Sequence, residues 1–266
     1  MEKFVDSHCH ILDPRLACRA DEIAKSITDD GLLFIVEISA DPKEARDALE
    51  FAQKHDNVYC TIGVHPQMAH EYDQEFERWA MSQSCNCCKS DGKIVAFGEC
   101  GLDYHYTSDK KDLQKDVFIR QIKLADQLGL PLCVHTWDAF DDTIAVLIAN
   151  KQYINNGILF HCFSEGGDQV EIAREHFDAY FAFGGGITHC KDGRSDSAIR
   201  AVPIDRMMLE TDAPYLNPVA NGGKKIINEP KNVKFIASYI ANLLNIPLDD
   251  VARATTQNAK TFYKIH

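Results

Sequence analysis

Four histidines and two carboxylates are the residues of this sequence best suited to hold metal ions: His8, His10, Glu99, His135, His161 and Asp212. Imidazole and carboxylate groups favour Zn²⁺, Mn²⁺ and related divalent ions, and no thiolate is needed. Six donors exceed the need of one tetrahedral ion, but they suit two ions that share a carboxylate. Two ions about 4 Å apart can polarise a phosphoryl oxygen and activate a water together.

The first two donors, His8 and His10, lie in "DSHCH" (6–10), directly after the first apolar-rich run of the chain. Alternate residues of a strand face the same side, so a strand through this segment places both imidazoles together. A surface pair of histidines would have the same spacing. The interpretation as a metal site therefore depends on where the other four donors lie.

Two other hydrolytic chemistries lack their sequence signatures. A serine triad would need a Gly-x-Ser-x-Gly elbow, which is missing, and "FGGGIT" (183–188) has no Lys-Ser/Thr partner for a phosphate loop. A lone general base supplies only about 10²–10⁴-fold, less than a metal-bound water with a pKa near 7 offers. The pattern therefore favours metal-dependent hydrolysis.

Eight β-rich runs alternate with amphipathic stretches, and the predicted strands are 4–6, 32–39, 58–64, 94–99, 131–136, 158–163, 179–185 and 207–212. Several are nearly continuous apolar runs, which is typical of parallel strands buried on both faces. Helices are predicted at 42–54, with Asp41 as N-cap, and at 110–128. The pattern predicts an α/β fold, a (β/α)₈ TIM barrel forming one domain over 1–266, with a doubly wound open sheet as the alternative.

The candidate metal ligands lie at the carboxyl ends of the predicted strands. Catalytic groups of such barrels lie at the carboxyl ends of the strands. Strand 1 runs into His8 and His10, and strands 4, 5, 6 and 8 end at or contain Glu99, His135, His161 and Asp212. The barrel therefore predicts that all six donors converge at one rim, where His65 also follows strand 3.

Composition limits the partners and the location. The chain is 45% hydrophobic and 26% charged, and no apolar run reaches the length of a membrane span. The first strand begins almost at Met1, so we expect no signal peptide and a cytoplasmic protein, or a nuclear one in a eukaryote. The net charge of −12 argues against a large basic surface, although metal ions could supply positive charge for a nucleic-acid substrate.

Ten cysteines raise the question of disulfides or a zinc site. We expect Cys60, Cys100, Cys133 and Cys162 to be buried thiols, because they lie in or at the ends of strand-like runs. The cluster Cys85-Asn86-Cys87-Cys88 has no second pair at finger spacing. It is interpreted as a surface loop rather than a zinc site.

Six motifs together resemble the TatD family of metal-dependent DNases: "DSHCH", "GVHP" (63–66), "GECGLDYH" (98–105), "HTWDA" (135–139), "HCFSEG" (161–166) and "LETDAPYL" (209–216). Their order and spacing match over essentially the whole chain, through "NEP" (228–230) and "TTQNAKTFY" (255–263). The resemblance implies a TIM barrel of the amidohydrolase superfamily, of the metallo-dependent hydrolase type. It also implies hydrolysis of DNA, from a 3′ end as a 3′-5′ exonuclease, with no membrane and no obligate protein partner.

The resemblance also implies the roles of the six donors. His8, His10 and Asp212 would hold one divalent ion, His135 and His161 the other, and Glu99 would bridge them. The ions would be Zn, Mn, Mg or Co, and Asp212 would also orient or deprotonate the attacking water. Many C–N hydrolases of the superfamily carry a carboxylated lysine on strand 4. Glu99 at that place favours the DNase branch, with amide or cyclic amide hydrolysis as the alternative.

Four further residues are candidates for substrate contact: His65, His105, Trp137 and Glu210. His65 follows a strand end and could contact the scissile phosphate. Glu210 is expected to share a face with Asp212 by strand alternation, either steering a ligand or serving as a paired buried acid. Trp137 occupies the place of a family arginine, so it either stacks on a base or packs among the helices.

Other positions depart from the family pattern or stay open. Gln67 stands where many relatives have a second histidine, and Glu165 interrupts the usual "HCFSG". The usual arginine before "NEP" is missing. Asp103 could brace its own turn or bind a ligand. The remaining histidines are expected at the surface: His55, His70, His176, His189 and His266.

Overall fold

The computed structural model describes residues 2–84 and 92–266, so the Cys85–Cys88 cluster lies outside the described residues. Eight strands are β1 Phe4–Cys9, β2 Leu32–Glu37, β3 Val58–Ile62, β4 Ile94–Asp103, β5 Leu132–Trp137, β6 Ile158–Phe160, β7 Ala179–Phe183 and β8 Met207–Leu209. They pair in parallel in chain order from β1 to β8.

Backbone hydrogen bonds bring the two ends of the sheet together. His10 N donates to Ala213 O at 2.7 Å, and Asp212 N donates to His8 O at 2.9 Å. The segment after β8 therefore joins β1 and nearly closes the barrel. The predicted (β/α)₈ barrel is confirmed, and the open-sheet alternative is wrong.

Seven helices of the described residues lie between consecutive strands: α1 Ala20–Ser26, α2 Pro42–Lys54, α3 Gln74–Ser82, α4 Lys111–Leu128, α5 Phe140–Ala149, α6 Gly167–His176 and α7 Arg194–Ala201. Two more follow β8: α8 Val233–Leu244 and α9 Leu248–Tyr263. Asp41 caps α2 by accepting hydrogen bonds from the backbone of Lys43 and Glu44, as predicted. None of the helices in the described ranges combines the length and apolar character that crossing a bilayer requires.

The carboxyl-terminal helix α9 fills one end of the barrel. Its Ala259, Phe262 and Tyr263 pack against side chains from the starts of the strands, such as Val5 and Phe34. Because α9 covers the amino-terminal ends of the strands, the cleft lies at their carboxyl ends.

Every strand ends one to four residues from its predicted end. β4 continues four residues beyond Glu99 to Asp103, whereas β6 and β8 end at Phe160 and Leu209. His161 and Asp212 therefore lie in loops. Cys162 and Asp212 have φ values of 44° and 54°, in the left-handed region that a strand does not tolerate. The expectation that Glu210 shares a strand face with Asp212 is therefore wrong.

The described cysteines are mostly buried, as expected. Cys60, Cys100 and Cys133 are fully buried between strands and helices or inside the barrel. Cys162 is only partly buried, because it lies in the loop after β6.

Candidate metal centre

The two oxygens of the Glu99 carboxylate face two different pairs of imidazoles. Oε2 lies 3.4 Å from His8 Nε2 and 3.9 Å from His10 Nε2. Oε1 lies 2.8 Å from His135 Nδ1 and 2.7 Å from His161 Nε2. One buried carboxylate thus faces imidazoles carried by β1, by β5 and by the segments that follow β1 and β6.

The first group of donors joins His8, His10 and Asp212. The two Nε2 atoms lie 3.3 Å apart, and Asp212 Oδ1 lies 3.7 Å from the first and 3.5 Å from the second. A tetrahedral ion with bonds of about 2.1 Å keeps neighbouring donors about 3.4 Å apart. These donors already have the spacing that such an ion requires.

The second group of donors joins His135 and His161, whose inward nitrogens lie 3.3 Å apart. Both nitrogens lie at hydrogen-bond distance from Glu99 Oε1. The rings of His8 and His161 stack with centroids 3.9 Å apart, which places the two groups side by side. This geometry could serve two neighbouring ions.

The second nitrogen of each imidazole faces another polar atom or a sulfur. Those of His8 and His10 lie at hydrogen-bond distance, whereas His135 Nε2 and His161 Nδ1 lie near carboxylate oxygens without forming a hydrogen bond. A histidine that ligates a metal usually directs its other N–H to such a partner, which leaves the inward lone pair for the ion. The pairs are His10 Nδ1 with Ile38 O at 3.2 Å, His8 Nδ1 with Cys133 Sγ at 3.7 Å, His135 Nε2 with Asp103 Oδ2 at 3.4 Å and His161 Nδ1 with Glu210 Oε1 at 3.4 Å. The donor set therefore fits divalent metal ions.

Glu210 lies behind His161 rather than in the cleft. It is fully buried, and its Oε1 accepts a hydrogen bond from Cys162 N at 2.6 Å. Within the described residues, its Oε2 has no hydrogen-bond partner. Its predicted contact with substrate is therefore wrong, because the buried carboxylate faces a metal-site imidazole and the turn beside it.

Asp103 supports both its own turn and the metal centre. Its Oδ1 accepts a hydrogen bond from Tyr106 N at 2.9 Å, and its Oδ2 accepts one from Gln67 Nε2 at 2.9 Å. The same Oδ2 faces His135. Gln67 thus holds the carboxylate that orients a predicted ligand.

The charges of the centre suit cations. Burial alone would raise the pKa of Glu99, but the surrounding imidazoles, His161 foremost, hold this pKa well below its usual range. Burial would likewise raise the pKa of Asp212, and the hydrogen bond and charge of His10 lower it. For His10 itself, burial lowers the pKa, but Asp212 outweighs burial and raises it to about 9. Two ionised carboxylates thus lie among buried imidazoles.

The family model of TatD related DNase matches residues 5–264. This chain belongs to the TatD-related DNase family. It is 33% identical over 263 residues to YabD of Bacillus subtilis, covering 98% of this chain and 99% of that protein. It is 34% identical over 268 residues to YcfH of Escherichia coli, covering 98% and 96%. Both relatives are described as uncharacterized metal-dependent hydrolases.

Solved structures share the fold of this TatD-related chain. The TatD homolog YJJV of Escherichia coli matches with a TM-score of 0.89 at 23% identity, covering 99% of this chain and 98% of that chain. A TatD family hydrolase of Entamoeba histolytica matches with a TM-score of 0.83 at 21% identity, covering 98% of each chain.

His65 lies at the edge of the candidate metal centre, where its Nε2 can donate a hydrogen bond. Its Nδ1 accepts a hydrogen bond from Gln67 N at 3.2 Å, so the neutral ring carries its proton on Nε2. Burial, with the charge of His135, lowers its pKa to about 3, which keeps the ring neutral. Nε2 lies 3.6 Å from Glu99 Oε1. A contact of this N–H with a phosphate stays a prediction.

The candidate metal centre opens into a cleft of about 1460 Å³ at the carboxyl end of the barrel. The cleft is lined by His65, Trp137 and Tyr215 among others. The sequence pattern gives no role to Tyr215, although this residue follows Asp212 by three positions in the same loop. Its ring stands edge-on to His10 at 6.1 Å and lies under the Arg15 guanidinium at 4.0 Å.

Two histidines expected at the surface are instead held by other residues. His189 lines the cleft, and its Nε2 lies 2.9 Å from Asn217 O. The side chain of His55 is only 13% exposed and lies 2.9 Å from Asp21 Oδ1. His70 and His266 are exposed, whereas His176 is half-buried at the end of α6.

Proposed function

We propose that this protein, a metal-dependent hydrolase of the TatD-related family, hydrolyses phosphodiester bonds of DNA as a 3′-5′ exonuclease. The observation that carries the proposal is the shared Glu99 carboxylate, whose two oxygens face two separate pairs of imidazoles. Membership of the TatD related DNase family supports DNA as the substrate. A shared carboxylate between two divalent ions suits phosphodiester hydrolysis.

The residues divide into two sets of donors for two divalent cations. His8, His10 and Asp212 would hold one ion, His135 and His161 would hold the other, and Glu99 would serve both. When bound, the ions supply an activated water and polarise the phosphoryl oxygen.

Two side chains would act on protons and charge in this reaction. The pKa of Asp212 is lowered, so its ionised carboxylate can accept a proton from the attacking water. His65 can donate its Nε2–H to a phosphoryl oxygen in the cleft, because its other nitrogen is already engaged by Gln67 N. The first group removes a proton, and the second stabilises negative charge.

Metal analysis combined with cleavage mapping on single-stranded and duplex oligonucleotides tests the proposal. We expect the purified protein to hold about two ions per chain and to release nucleotides from 3′ ends. Glu99→Ala should lose bound metal and abolish cleavage, because both ions lose a donor. Glu171→Ala, which removes an exposed carboxylate from α6, serves as the matched control and should retain both.

Two results would contradict the proposal. Unchanged metal content with full activity in Glu99→Ala would show that the carboxylate does not serve both ions. A metal-loaded protein that leaves every oligonucleotide intact but opens cyclic amides would instead establish C–N hydrolysis.

A further inference from the structure

Three aromatic rings, His105, Tyr106 and Trp137, pack together at the rim of the cleft and are called here the aromatic platform. The rings of His105 and Trp137 stack with centroids 4.6 Å apart and an angle of 16°. Tyr106 contacts both, at 4.7 Å from His105 and 5.3 Å from Trp137. The platform joins the segment after β4 to the end of β5.

The platform is exposed to solvent. Trp137 is 40% exposed and Tyr106 is 62% exposed, and both line the cleft. The alternative prediction, that Trp137 packs among the helices, is therefore wrong. Exposed aromatic surface that lines a cleft commonly marks a binding site.

The other two rings of the platform cover only part of the indole. Tyr106 stands at 79° to Trp137 and at 85° to His105, so it lies beside the stacked pair rather than on it. His105 covers one face of the indole. Trp137 is 40% exposed in spite of these contacts, so part of the indole is accessible to a flat ligand.

Hydrogen bonds hold the platform in place. His105 Nδ1 lies 2.9 Å from Asp138 Oδ2, and Tyr104 N donates to Trp137 O at 2.9 Å. Tyr106 N donates to Asp103 Oδ1, the carboxylate whose other oxygen faces the metal-site residue His135. The platform is therefore tied to the metal centre before any ligand binds.

We propose that the platform stacks a nucleobase of the strand whose phosphodiester bond lies at the metal centre. The proposal rests on the proposed function, since it names a base subsite for that substrate. Trp137 follows His135 by two residues on β5, so it lies about 7 Å along the strand from a metal ligand. Base–aromatic stacking does not depend on base identity, but it requires a base that is free of pairing.

The local charge favours a base over a phosphate at this place. The indole carries one N–H donor and no positive charge. Asp138 beside the platform is 63% exposed in its side chain and would repel a phosphate group. The platform thus suits the uncharged, flat part of a nucleotide.

Cleavage kinetics of Trp137→Ala give the first test. We expect KM on single-stranded oligonucleotides to rise about 5- to 150-fold, with the melting temperature nearly unchanged because the side chain is exposed. Trp137→Phe should recover most of the loss. Ile172→Ala, which removes a side chain of similar exposure from α6 outside the cleft, should leave KM unchanged.

Abasic substrates identify the part of the nucleotide that binds. An abasic residue placed in turn at each of the three terminal positions should, at one of them, erase the difference between wild type and Trp137→Ala. If no position erases it, or if the variant melts several degrees lower while KM holds, the platform does not stack a base and the proposal is rejected.

A binding measurement without hydrolysis separates this proposal from the proposed function. The chain has two tryptophans, so Trp79→Phe leaves Trp137 as the sole indole. A phosphorothioate oligonucleotide should quench its fluorescence, and the matching abasic oligonucleotide should not. Quenching in a protein that cleaves no DNA would support the platform and reject the nuclease. Cleavage of DNA without quenching would reject the platform and leave the nuclease standing.

Discussion

At the scale of single residues, the types of the metal donors could be predicted from the sequence, but their orientation could not. The motifs predict His8 as a ligand, and the structure adds that its Nε2 faces Glu99 while its Nδ1 faces Cys133. Cys133 lies 125 residues away and contacts His8 only because the barrel brings β1 and β5 together across its interior. Such a contact has no local sequence signal.

Asp212→Asn tests whether the carboxylate acts on the attacking water. The amide keeps the shape of the side chain but cannot accept the proton, so kcat should fall by at least about 10²-fold while substrate binding survives. Asp205→Asn, at an exposed carboxylate shortly before β8, is the control and should leave kcat unchanged. Steady-state kinetics measure both variants, and a loss confined to KM would contradict this role for Asp212.

At the scale of elements, the hydrophobic pattern predicted the existence of every strand but not where the strands end. β4 continues past Glu99 because Gly101 has a φ of 140° and lies directly against β5. A Cβ at Gly101 would lie 2.0 Å from the carbonyl oxygen of His135. The extension of β4 thus depends on a close approach of two backbones, which apolar periodicity does not report.

Gly101→Ala should therefore disturb the strand pair that carries two of the predicted ligands. We expect a loss of about 2–6 kcal/mol in the free energy of unfolding, from backbone strain and the clash with His135 O together. Gly129→Ala is the matched control. Its φ of 68° carries the strain, but no atom lies within 4 Å of the added Cβ, so about 1–2 kcal/mol is expected.

Urea unfolding measures both glycine variants. Metal affinity should also fall in Gly101→Ala, because His135 moves, and should stay unchanged in Gly129→Ala. Equal losses of stability in the two variants would show that the contact between β4 and β5 is not the cause.

At the scale of the whole molecule, the barrel could be predicted from the sequence. The contacts that fix α9 under it, and those that join the segment after β8 to β1, could not. The hydroxyl of Tyr263 donates a hydrogen bond to Ser7 O at 2.8 Å, across 256 residues of the chain. That contact fastens α9 under the barrel and leaves the opposite rim as the opening. The pairing of the segment after β8 with β1 is equally non-local and depends on the left-handed backbone at Asp212.

The charge of the whole protein bears on the proposed binding of DNA. The net charge is −12, and five basic side chains line the described part of the cleft: Arg15, Lys43, Lys191, Arg194 and Lys224. Three of them are already paired with carboxylates, namely Asp13, Asp47 and Asp192. Among the described residues, no carboxylate lies within ion-pair distance of the other two, Lys191 and Lys224. Under the proposed function, bound metal ions would therefore supply most of the remaining attraction for DNA.

Binding of single-stranded DNA should therefore depend strongly on metal and weakly on salt. Each neutralised phosphate adds about −0.7 to the slope of log K against log salt, so contacts from Lys191 and Lys224 predict a slope near −1.4. Fluorescence anisotropy of a labelled phosphorothioate oligonucleotide measures this slope, and chelation of the metal should raise Kd strongly. Lys191→Ala and Lys224→Ala should each make the slope shallower by about 0.7, whereas Lys25→Ala on α1, outside the cleft, should not change it. A slope steeper than about −4 would show that a basic surface holds the strand, and a Kd unchanged by chelation would show that the metal centre does not supply the attraction.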